Sequence, residues 1–342
     1  MGLFNSLTNP LSWVSGDIAI DLGTANTLVY IKGKGVLINE PSIVAKNTID
    51  GSVVAVGNEA YAMLGRTPSG IQTVRPLKDG VIADFDMTDG MIQGFVKKMN
   101  LSRIARPRMV ICIPSGVTDV ERRAVRDSAE RANASEVHLI QEPIAAAIGV
   151  GLDISQPRGH MIIDIGGGTT EIAVISLNDI VESEAIRIAG DEQNEAIVSW
   201  FRNEHKLDIG LRTAENIKCS VGSAIREKGV TIKVKGRDLV SGIPKTMEVS
   251  SDEIRQALAD TVYQITQAVK AALEKTPPEL SSDIIDYGVI LTGGGSMLKG
   301  LDQHIRNKTG LPVHVAEDPL LSVVRGTGKV LEDIKAYSEV LM

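Results

Sequence analysis

Asp164-Ile165-Gly166-Gly167-Gly168-Thr169-Thr170 is the stretch of sequence that decides the fold. Apolar residues precede it from Met161 to Ile163 and follow it from Ile172 to Ile175. An apolar run that stops at Asp and Gly and then resumes predicts a β-hairpin, because glycine adopts the dihedral angles of a tight reversal. Small residues at the turn let a phosphate approach successive backbone N–H groups. The stretch therefore predicts a hairpin that can bind a phosphate.

The first part of the chain contains a second copy of this pattern, Asp21-Leu22-Gly23-Thr24-Ala25-Asn26-Thr27. Both copies have an aspartate, a glycine two residues later and a threonine six residues later. Glycine-rich turns also occur in hairpins that bind nothing, but two matching copies favour duplication around a phosphate site. Asp21 and Asp164 each end a strand, where a carboxylate can hold a hydrated Mg²⁺. Two such hairpins facing each other would bind a nucleotide triphosphate and its metal from both sides.

A third glycine-rich segment fits the same site. Residues Asp286 to Thr292 have the composition of a strand, which leads into Gly293-Gly294-Gly295-Ser296. Bare glycines there leave room for a base or a phosphate against the backbone. The chain contains neither a Walker A sequence nor a GxGxxG motif after a strand, so the two commonest nucleotide-binding folds are not indicated.

The two hairpins and the glycine-rich turn resemble the phosphate 1, phosphate 2 and adenosine motifs of the actin, Hsp70 and sugar kinase superfamily. Within it, the chain is similar to the MreB family of bacterial actins. The resemblance extends from about residue 17 to residue 330 and is specific. Its other matching segments are Asn39 to Ser42, Gly65 to Pro68, Arg75 to Phe85 and Gln141 to Pro143.

The resemblance implies an α/β, actin-like ATPase fold, with two duplicated α/β domains facing across a nucleotide cleft. The expected first domain covers residues 17–150, with a small inserted subdomain at about 33–78. The expected second domain covers residues 151–320, with an inserted subdomain at about 191–250. Residues 1–16 would form an apolar tail that contacts a membrane. Residues 321–342 are expected to form helices that return to the first domain.

The resemblance also implies a set of site residues for the cofactors ATP and Mg²⁺. Asp21 and Asp164 would hold the metal through water, and Glu142 and Thr169 would act in hydrolysis. The expected cofactor-binding residues are Gly23, Thr24, Ala25, Asn26, Gly166, Gly167, Gly168, Thr169, Gly190, Asp191, Glu215, Lys218, Gly293, Gly294, Gly295 and Ser296.

Two parts of this set have a simpler interpretation. Glu142 lies where a strand ends and a helix begins, so its charge could merely interact favourably with the helix dipole. In the family, the glutamate of this motif positions or deprotonates the water that attacks the γ-phosphate. Glu215 and Lys218 have i,i+3 spacing and could be an ordinary surface ion pair. In the family they approach the adenosine, the lysine by packing and the glutamate at the ribose.

Composition describes a globular protein with a large core. The chain has 342 residues, 43% of them hydrophobic, and a net charge of −7. Only 3% of the residues are aromatic, and with an acidic balance this argues against nucleic-acid binding. Cys112 and Cys219 have no metal-ligand spacing, so we expect two buried reduced thiols and a cytoplasmic protein.

The N-terminus has an amphipathic pattern. A helical wheel places Leu3, Phe4, Leu7 and Leu11 on one side, with Trp13 at its border. Such a segment could lie in a membrane interface or be a disordered or core-docked tail, since Pro10 would break a continuous helix. The resemblance favours contact with the inner face of the cytoplasmic membrane, to which the segment from Asn100 to Arg108 could contribute.

The resemblance further implies the partners. The chain would assemble with itself into paired antiparallel protofilaments, on which cell-wall elongation and morphogenesis proteins act to maintain rod shape. The alternatives are an actin-like filament that positions plasmids or organelles, and a small-molecule kinase of the same superfamily. A kinase would need an aspartate base, but no Asp occupies position 142, and Asp119 and Asp127 lie on a predicted surface helix. A chaperone of the Hsp70 type would need a peptide-binding domain after the ATPase.

Overall fold

The protein is described by a computed structural model that covers residues 16–99, 106–227 and 229–342. Its first half contains ten strands and four helices within those ranges. The strands are β1 (Ile18–Leu22), β2 (Asn26–Ile31), β3 (Gly35–Pro41), β4 (Val44–Asn47), β5 (Val53–Val56), β6 (Ile71–Val74), β7 (Leu77–Lys78), β8 (Val81–Ile82), β9 (Arg108–Ile113) and β10 (Glu136–Gln141). The helices are α1 (Asn58–Met63), α2 (Phe85–Lys98), α3 (Asp119–Arg131) and α4 (Glu142–Val150).

The second half follows with eight strands and six helices in the described residues. The strands are β11 (His160–Ile165), β12 (Thr170–Ser176), β13 (Asp179–Ile186), β14 (Leu207–Asp208), β15 (Thr231–Asp238), β16 (Pro244–Ser250), β17 (Val289–Thr292) and β18 (Val313–Val315). The helices are α5 (Gly190–His205), α6 (Leu211–Val221), α7 (Ser251–Lys275), α8 (Pro278–Tyr287), α9 (Leu301–Thr309) and α10 (Ser322–Glu332).

The two halves contain the same five-stranded sheet. In the first half the strand order is β3-β2-β1-β9-β10, and in the second it is β13-β12-β11-β17-β18. In each sheet the central strand pairs antiparallel with the next strand of the chain and parallel with a later one. The repeat seen in the sequence is therefore a repeat of topology, and it places the β1–β2 and β11–β12 turns at equivalent positions.

Smaller sheets accompany each large one. Strands β5-β4-β6 form a three-stranded sheet in the first half, and β14-β15-β16 form another in the second. A short ribbon of β7 and β8 lies between the first small sheet and α2 in the chain. The domain limits expected from the sequence remain a proposal consistent with this arrangement.

Helices α4 and α10 connect the two halves. Helix α10 packs against α4, β1 and β9, while α4 also contacts β11 and β12. Their backbones touch, because a Cβ atom on Gly149 would meet the Ser322 carbonyl oxygen and one on Gly326 would meet that of Ala145. Residues of this contact form one apolar cluster with both sheets, including Ala19 and Ile162.

Local signals in the sequence explain several helix starts. Thr118 accepts a hydrogen bond from the Glu121 N–H while the Glu121 carboxylate accepts from Thr118, and Ser250 and Glu253 repeat this arrangement. Such caps satisfy N–H groups that the helix leaves free, and each contributes about 1 kcal/mol. The sequence pattern of a Thr or Ser followed three residues later by Glu is typical of a capping box, and it occurs here at the starts of α3 and α7.

Two expected elements differ in the structure. Asp286 was expected in a strand but lies in α8, because the helix continues until Gly288, whose φ of 78° ends it. The end of the chain contains one helix, α10, followed by turns and a 3₁₀ turn at Ser338–Val340. The Asp333 side chain accepts from the Ala336 N–H, and this local hydrogen bond competes with helix continuation. Met342 then pairs with Leu139 of β10.

Candidate functional site

A cavity of about 640 Å³ lies between the two halves. This volume is within the range of small-molecule sites, about 300–1,000 Å³. The wall includes both hairpin turns, the start of α5, one face of α6 and the turn after β17. The sequence-predicted residues that line it are Asp21, Gly23, Thr24, Ala25, Asn26, Glu142, Asp164, Gly166, Gly167, Thr169, Gly190, Asp191, Glu215, Lys218, Gly293, Gly294 and Gly295.

The tips of the two hairpins contact each other at the cavity. A Cβ atom on Gly167 would lie 2.6 Å from the Cβ atom of Ala25, and one on Gly168 would lie 2.9 Å from Thr24 Cγ2. Real Cβ atoms do not approach so closely, so only glycine fits between the turns. Gly168 faces Thr24 and the backbone of Asp79 and does not line the cavity.

The turn between β7 and β8 covers the hairpin tips. The Gly80 N–H donates to Thr24 Oγ1 over 3.2 Å. A Cβ atom on Gly80 would lie 2.7 Å from Thr169 Cγ2, so this turn touches both hairpins. This segment is one of those that resemble the family, but it was not among the site residues predicted from the sequence. The β7–β8 turn belongs to the site only through its contacts with Thr24 and Thr169, which are far from it in the sequence.

Three carboxylates line the cavity, those of Asp21, Glu142 and Asp164, and a fourth, that of Glu171, lies close enough to act on their charges. Asp21, Asp164 and Glu171 are buried, and Glu142 is open to the cavity on one side. Within the ranges that the structure describes, none of the four has an ion pair with Lys, Arg or His. Glu171 accepts hydrogen bonds from the N–H and hydroxyl of Ser115. Glu171 was not among the site residues predicted from the sequence.

Burial raises the pKa of all four carboxylates, and the charges of neighbouring carboxylates add to this rise for Asp164 and Glu142. Burial raises the pKa of Asp21 to about 6, and the hydrogen bond from the Cys112 thiol offsets part of this rise. Burial, followed by the charges of Asp21 and Glu171, raises the pKa of Asp164 to about 8. Burial and the same neighbours hold the pKa of Glu142 well above its usual range. Buried carboxylates that have no basic partner among the described residues favour the binding of a cation.

Asp21, Glu142 and Cys112 form the tightest part of this group. One ligand atom of each lies within 4.8 Å of the others. The Cys112 thiol donates to Asp21 Oδ1 over 3.3 Å, and burial raises its pKa well above the usual range. Cys112 is therefore a buried, reduced thiol, as predicted. Oxygen ligands suit Mg²⁺, so the two aspartates fit the metal expected from the sequence.

Cys219 differs from its prediction. It is exposed and lines the cavity. The apolar face of α6 is formed by Ala214, Ile217 and Val221, and position 219 lies off that face. The sequence around both cysteines predicted burial, but only Cys112 is buried, whereas Cys219 is exposed.

The start of α5 and one face of α6 form a polar wall. Lys218 Nζ donates to the Gly190 carbonyl oxygen over 2.8 Å and lies 3.5 Å from Glu215 Oε2. Asn194 Nδ2 donates to the same carboxylate oxygen. Glu215 and Lys218 thus form an ion pair on the cavity wall.

The glycine-rich turn after β17 closes the cavity on the far side. Gly293 has a φ of 78°, and a Cβ atom there would collide with Asp164 and the Ile165 backbone. Ser296 is buried and its hydroxyl donates to the Gly293 carbonyl over 2.7 Å. This bond turns the side chain inward, so Ser296 does not line the cavity. Neighbouring wall residues that the sequence did not predict include Gln193, Met297, Lys299, Pro319 and Leu320.

The predicted membrane residues Leu3, Phe4, Leu7, Leu11 and Trp13 lie outside the described residues, as do Leu101 and Ile104. Within the part of the chain that the structure describes, none of the helices combines the length and apolar character needed to cross a membrane.

Comparison with known proteins identifies close relatives. The family model described as MreB/Mbl protein matches residues 15–339. The cell shape-determining protein Mbl of Bacillus subtilis is 51% identical over 320 residues, covering 93% of this chain and 96% of that protein. The cell shape-determining protein MreB of Escherichia coli K12 is 52% identical over 330 residues, covering 94% and 95%.

A solved structure has the same fold. MreB5 of Spiroplasma citri bound to ADP superposes with a TM-score of 0.89 at 40% identity, covering 94% of this chain and 98% of that one. The same protein bound to AMPPNP gives the same TM-score and identity. The fold expected from the sequence, actin-like with two α/β halves around a cleft, is confirmed.

Proposed function

This chain belongs to the MreB/Mbl family, and from that premise we propose that it is an actin-like protein whose ATP-dependent filaments determine cell shape. The observation that carries the proposal is the cavity, which two glycine hairpins and an uncompensated group of carboxylates form together. Its relatives are named for cell-shape determination, and MreB5 binds ADP and AMPPNP.

The nucleotide occupies the cleft with its phosphates against the two hairpin turns. Backbone N–H groups of Gly23 to Asn26, Gly167 and Thr169 bind the phosphate oxygens, while the Gly166 N–H donates to the Thr169 carbonyl oxygen and holds the turn in shape. The Gly293 to Gly295 turn flanks the base, and Glu215 and Lys218 approach the ribose. Asp21 and Asp164 hold Mg²⁺ through water; when bound, this ion neutralises phosphate charge together with that of the carboxylates.

Hydrolysis depends on Glu142 and Thr169. Both line the cavity beside the hairpin tips, where a water molecule in line with the γ-phosphate would lie. Glu142 orients this water and accepts its proton, since a carboxylate whose pKa is raised is a stronger base once it is deprotonated. Thr169 orients the same water through its hydroxyl. The β7–β8 turn excludes other water by covering the hairpin tips.

Filament growth follows from head-to-tail addition of subunits. A heterologous contact that does not close gives an open filament, and two such filaments pair in antiparallel fashion. Polymerisation would shift the two halves about α4 and α10 and complete the arrangement around Glu142. ATP turnover per subunit should therefore rise when the protein assembles.

The filaments lie on the inner face of the cytoplasmic membrane. The apolar residues of the tail, Leu3, Phe4, Leu7, Leu11 and Trp13, provide the contact, and many weak anchors on one polymer give strong attachment. There the filament organises cell-wall elongation with morphogenesis proteins. A kinase role is less favoured, because Asp119 is 95% exposed at its side chain on α3 and lies outside the cavity wall.

Sedimentation and electron microscopy test this function. We expect filaments and a pellet with Mg-ATP, and a larger pellet when anionic liposomes are present. Leu7→Glu places a charge on the apolar side of the tail and should reduce co-sedimentation with liposomes, whereas Asn5→Glu places the same charge on the polar side and should not. A protein that stays in the supernatant with Mg-ATP, with and without liposomes, would contradict the proposal.

A further inference from the structure

Glu171 is a charged residue in a strand whose seven residues are all buried. Its own exposure is 2%. A buried carboxylate is costly unless hydrogen bonds or a cation compensate for the lost hydration. In the part of the chain that the structure describes, this carboxylate has no basic partner, and its hydrogen bonds come from Ser115. Packing alone does not explain a charge at this position.

The hydrogen bonds of Glu171 cross from one half of the molecule to the other. The Ser115 N–H donates to Glu171 Oε2 over 3.1 Å, and the Ser115 hydroxyl donates to the same oxygen over 3.0 Å. Ser115 follows β9 in the first half, whereas Glu171 lies in β12 in the second. Hydrogen bonds to a carboxylate are stronger than those between neutral groups, and burial limits their screening by salt. A largely buried contact thus joins the two halves here.

Ser115 leaves the first sheet beside Glu142. Strands β9 and β10 are parallel, and Ile113 lies opposite Gln141. Glu142 follows Gln141 directly, and Ser115 lies two residues after Ile113, so both residues follow neighbouring strands at the same edge of the sheet. Pro114, which precedes Ser115, lines the cavity as Glu142 does. A displacement of this edge relative to the second half would therefore move Ser115 and Glu142 together.

Glu171 belongs to the hairpin that carries Thr169. It lies two residues after Thr169, which lines the cavity, and opposite Asp164 in the antiparallel pair of β11 and β12. Among neighbouring charges, that of Glu171 raises the pKa of Glu142 most, and such an effect requires proximity because the interaction between charges weakens with distance. The bonds from Ser115 thus connect the strand end that leads to Glu142 with the hairpin that carries Thr169.

We propose that Ser115 and Glu171 are positioning residues, whose hydrogen bonds hold Glu142 and Thr169 in register across the cleft for attack on the γ-phosphate. This inference rests on the proposed ATP hydrolysis and adds the contact that aligns its two residues. Neither Ser115 nor Glu171 lines the cavity, so loss of their contact should lower kcat without weakening ATP binding. A misplacement of about 1 Å can reduce a rate about 100-fold.

The test measures kcat and KM for Mg-ATP on filaments of the full chain. Glu171→Ala removes both hydrogen bonds and should lower kcat about tenfold or more, with KM within about twofold of the wild type. Glu171→Gln keeps an acceptor oxygen and should retain a higher kcat than Glu171→Ala. Ser115→Ala keeps the N–H and loses the hydroxyl, so kcat should fall about threefold. Ser115→Thr keeps the hydroxyl and should resemble the wild type.

A double variant and a matched control complete the design. Ser115→Ala/Glu171→Ala should have the same kcat as Glu171→Ala, because the two residues act through one contact. Ser135→Ala changes an exposed serine and should leave kcat and KM unchanged. Melting temperatures and ATP affinities of all variants show whether a lower kcat comes from loss of folding or of binding.

An unchanged kcat in both Glu171→Ala and Ser115→Ala, with an active wild type, would overturn the inference alone. Independent effects that multiply in the double variant would also overturn it. So would a parallel loss of kcat, ATP affinity and melting temperature that Glu171→Gln and Ser115→Thr share, since that pattern shows a role in stability only. Absence of ATP turnover by wild-type filaments would instead contradict the proposed function.

Discussion

Arg75 and Asp191 form an ion pair across the cleft. Arg75 Nη1 lies 3.0 Å from Asp191 Oδ1 and 2.9 Å from Oδ2. Arg75 follows β6 in the first half, and Asp191 lies in the first turn of α5 in the second. Together with the contacts of Gly80 with Thr24 and Thr169, the pair links the two halves beside the cavity, whose wall includes Asp191.

Removal of this ion pair should make nucleotide exchange faster. The two side chains are 38% and 30% exposed, so solvent screening limits the contribution to about 0.2–1 kcal/mol. Arg75→Ala should increase the release rate of a fluorescent ATP analogue by up to about fivefold, with a smaller effect at high salt. The double variant Arg75→Ala/Asp191→Ala should release the analogue no faster than Arg75→Ala alone, because either change removes the same ion pair. Arg66→Ala, at an exposed arginine, serves as the control, and equal release rates for Arg75→Ala and this control would contradict the role of the pair.

The contact between α4 and α10 should be sensitive to a single methyl group. Gly326→Ala places a Cβ atom against the Ala145 carbonyl, and neither backbone can move without separating the helices. Overpacking costs about 1–3 kcal/mol and exceeds the gain in helix propensity of about 1 kcal/mol from alanine. We expect a lower free energy of unfolding in denaturant titrations. Gly70→Ala has open space around its new methyl group, and equal stability of the two variants would contradict the predicted packing.

The buried carboxylates predict how stability depends on pH in the absence of metal and nucleotide. The pKa values of Asp21 and Asp164 are raised from 3.8 to about 6 and about 8. Between pH 4 and 8 the folded protein therefore holds protons that the unfolded chain has released. Stability is greatest below the unfolded pKa and falls as pH rises through about 6 and 8.

Asp164→Asn removes one of these groups and should flatten the fall between about pH 6 and 8. Denaturant titrations in EDTA at several pH values measure this, with Asp286→Asn at an exposed position of α8 as the control. Adding Mg-ATP should restore more stability at pH 8 than at pH 5, because a cation binds deprotonated carboxylates. Parallel pH profiles for wild type and Asp164→Asn would contradict the prediction.

Sequence patterns predicted those features that depend on neighbouring residues. The two hairpins, the capping boxes at Thr118 and Ser250, and the location of Glu142 at the cavity all follow from short segments. Residues whose role depends on a distant partner were not predicted. Glu171 acts through its charge on Asp164, and Gly80 acts through its contact with Thr24.

Gln193 shows the same limit in another way. In the sequence it is one polar residue of a helix, and its burial without a hydrogen-bond partner among the described residues depends on how α5 packs. The start of β17 at Val289 could not be predicted either. The largely apolar run from Asp286 to Thr292 does not show that its first residues belong to a helix that ends at Gly288. Residues 1–15 lie outside the described residues, so the membrane contact proposed for them rests on their amphipathic pattern and on the family resemblance.

The most direct test of the central claim is phosphate release with Mg-ATP measured against protein concentration, with pelleting of the same samples. We predict that turnover per subunit rises above a threshold concentration together with the pellet. Glu142→Gln should lower turnover by about 100-fold or more, since a positioned base contributes that much, and should still pellet. Glu130→Gln, at an exposed site on α3, should match the wild type. Turnover that is independent of concentration with no pellet, or undiminished turnover in Glu142→Gln, would contradict the account.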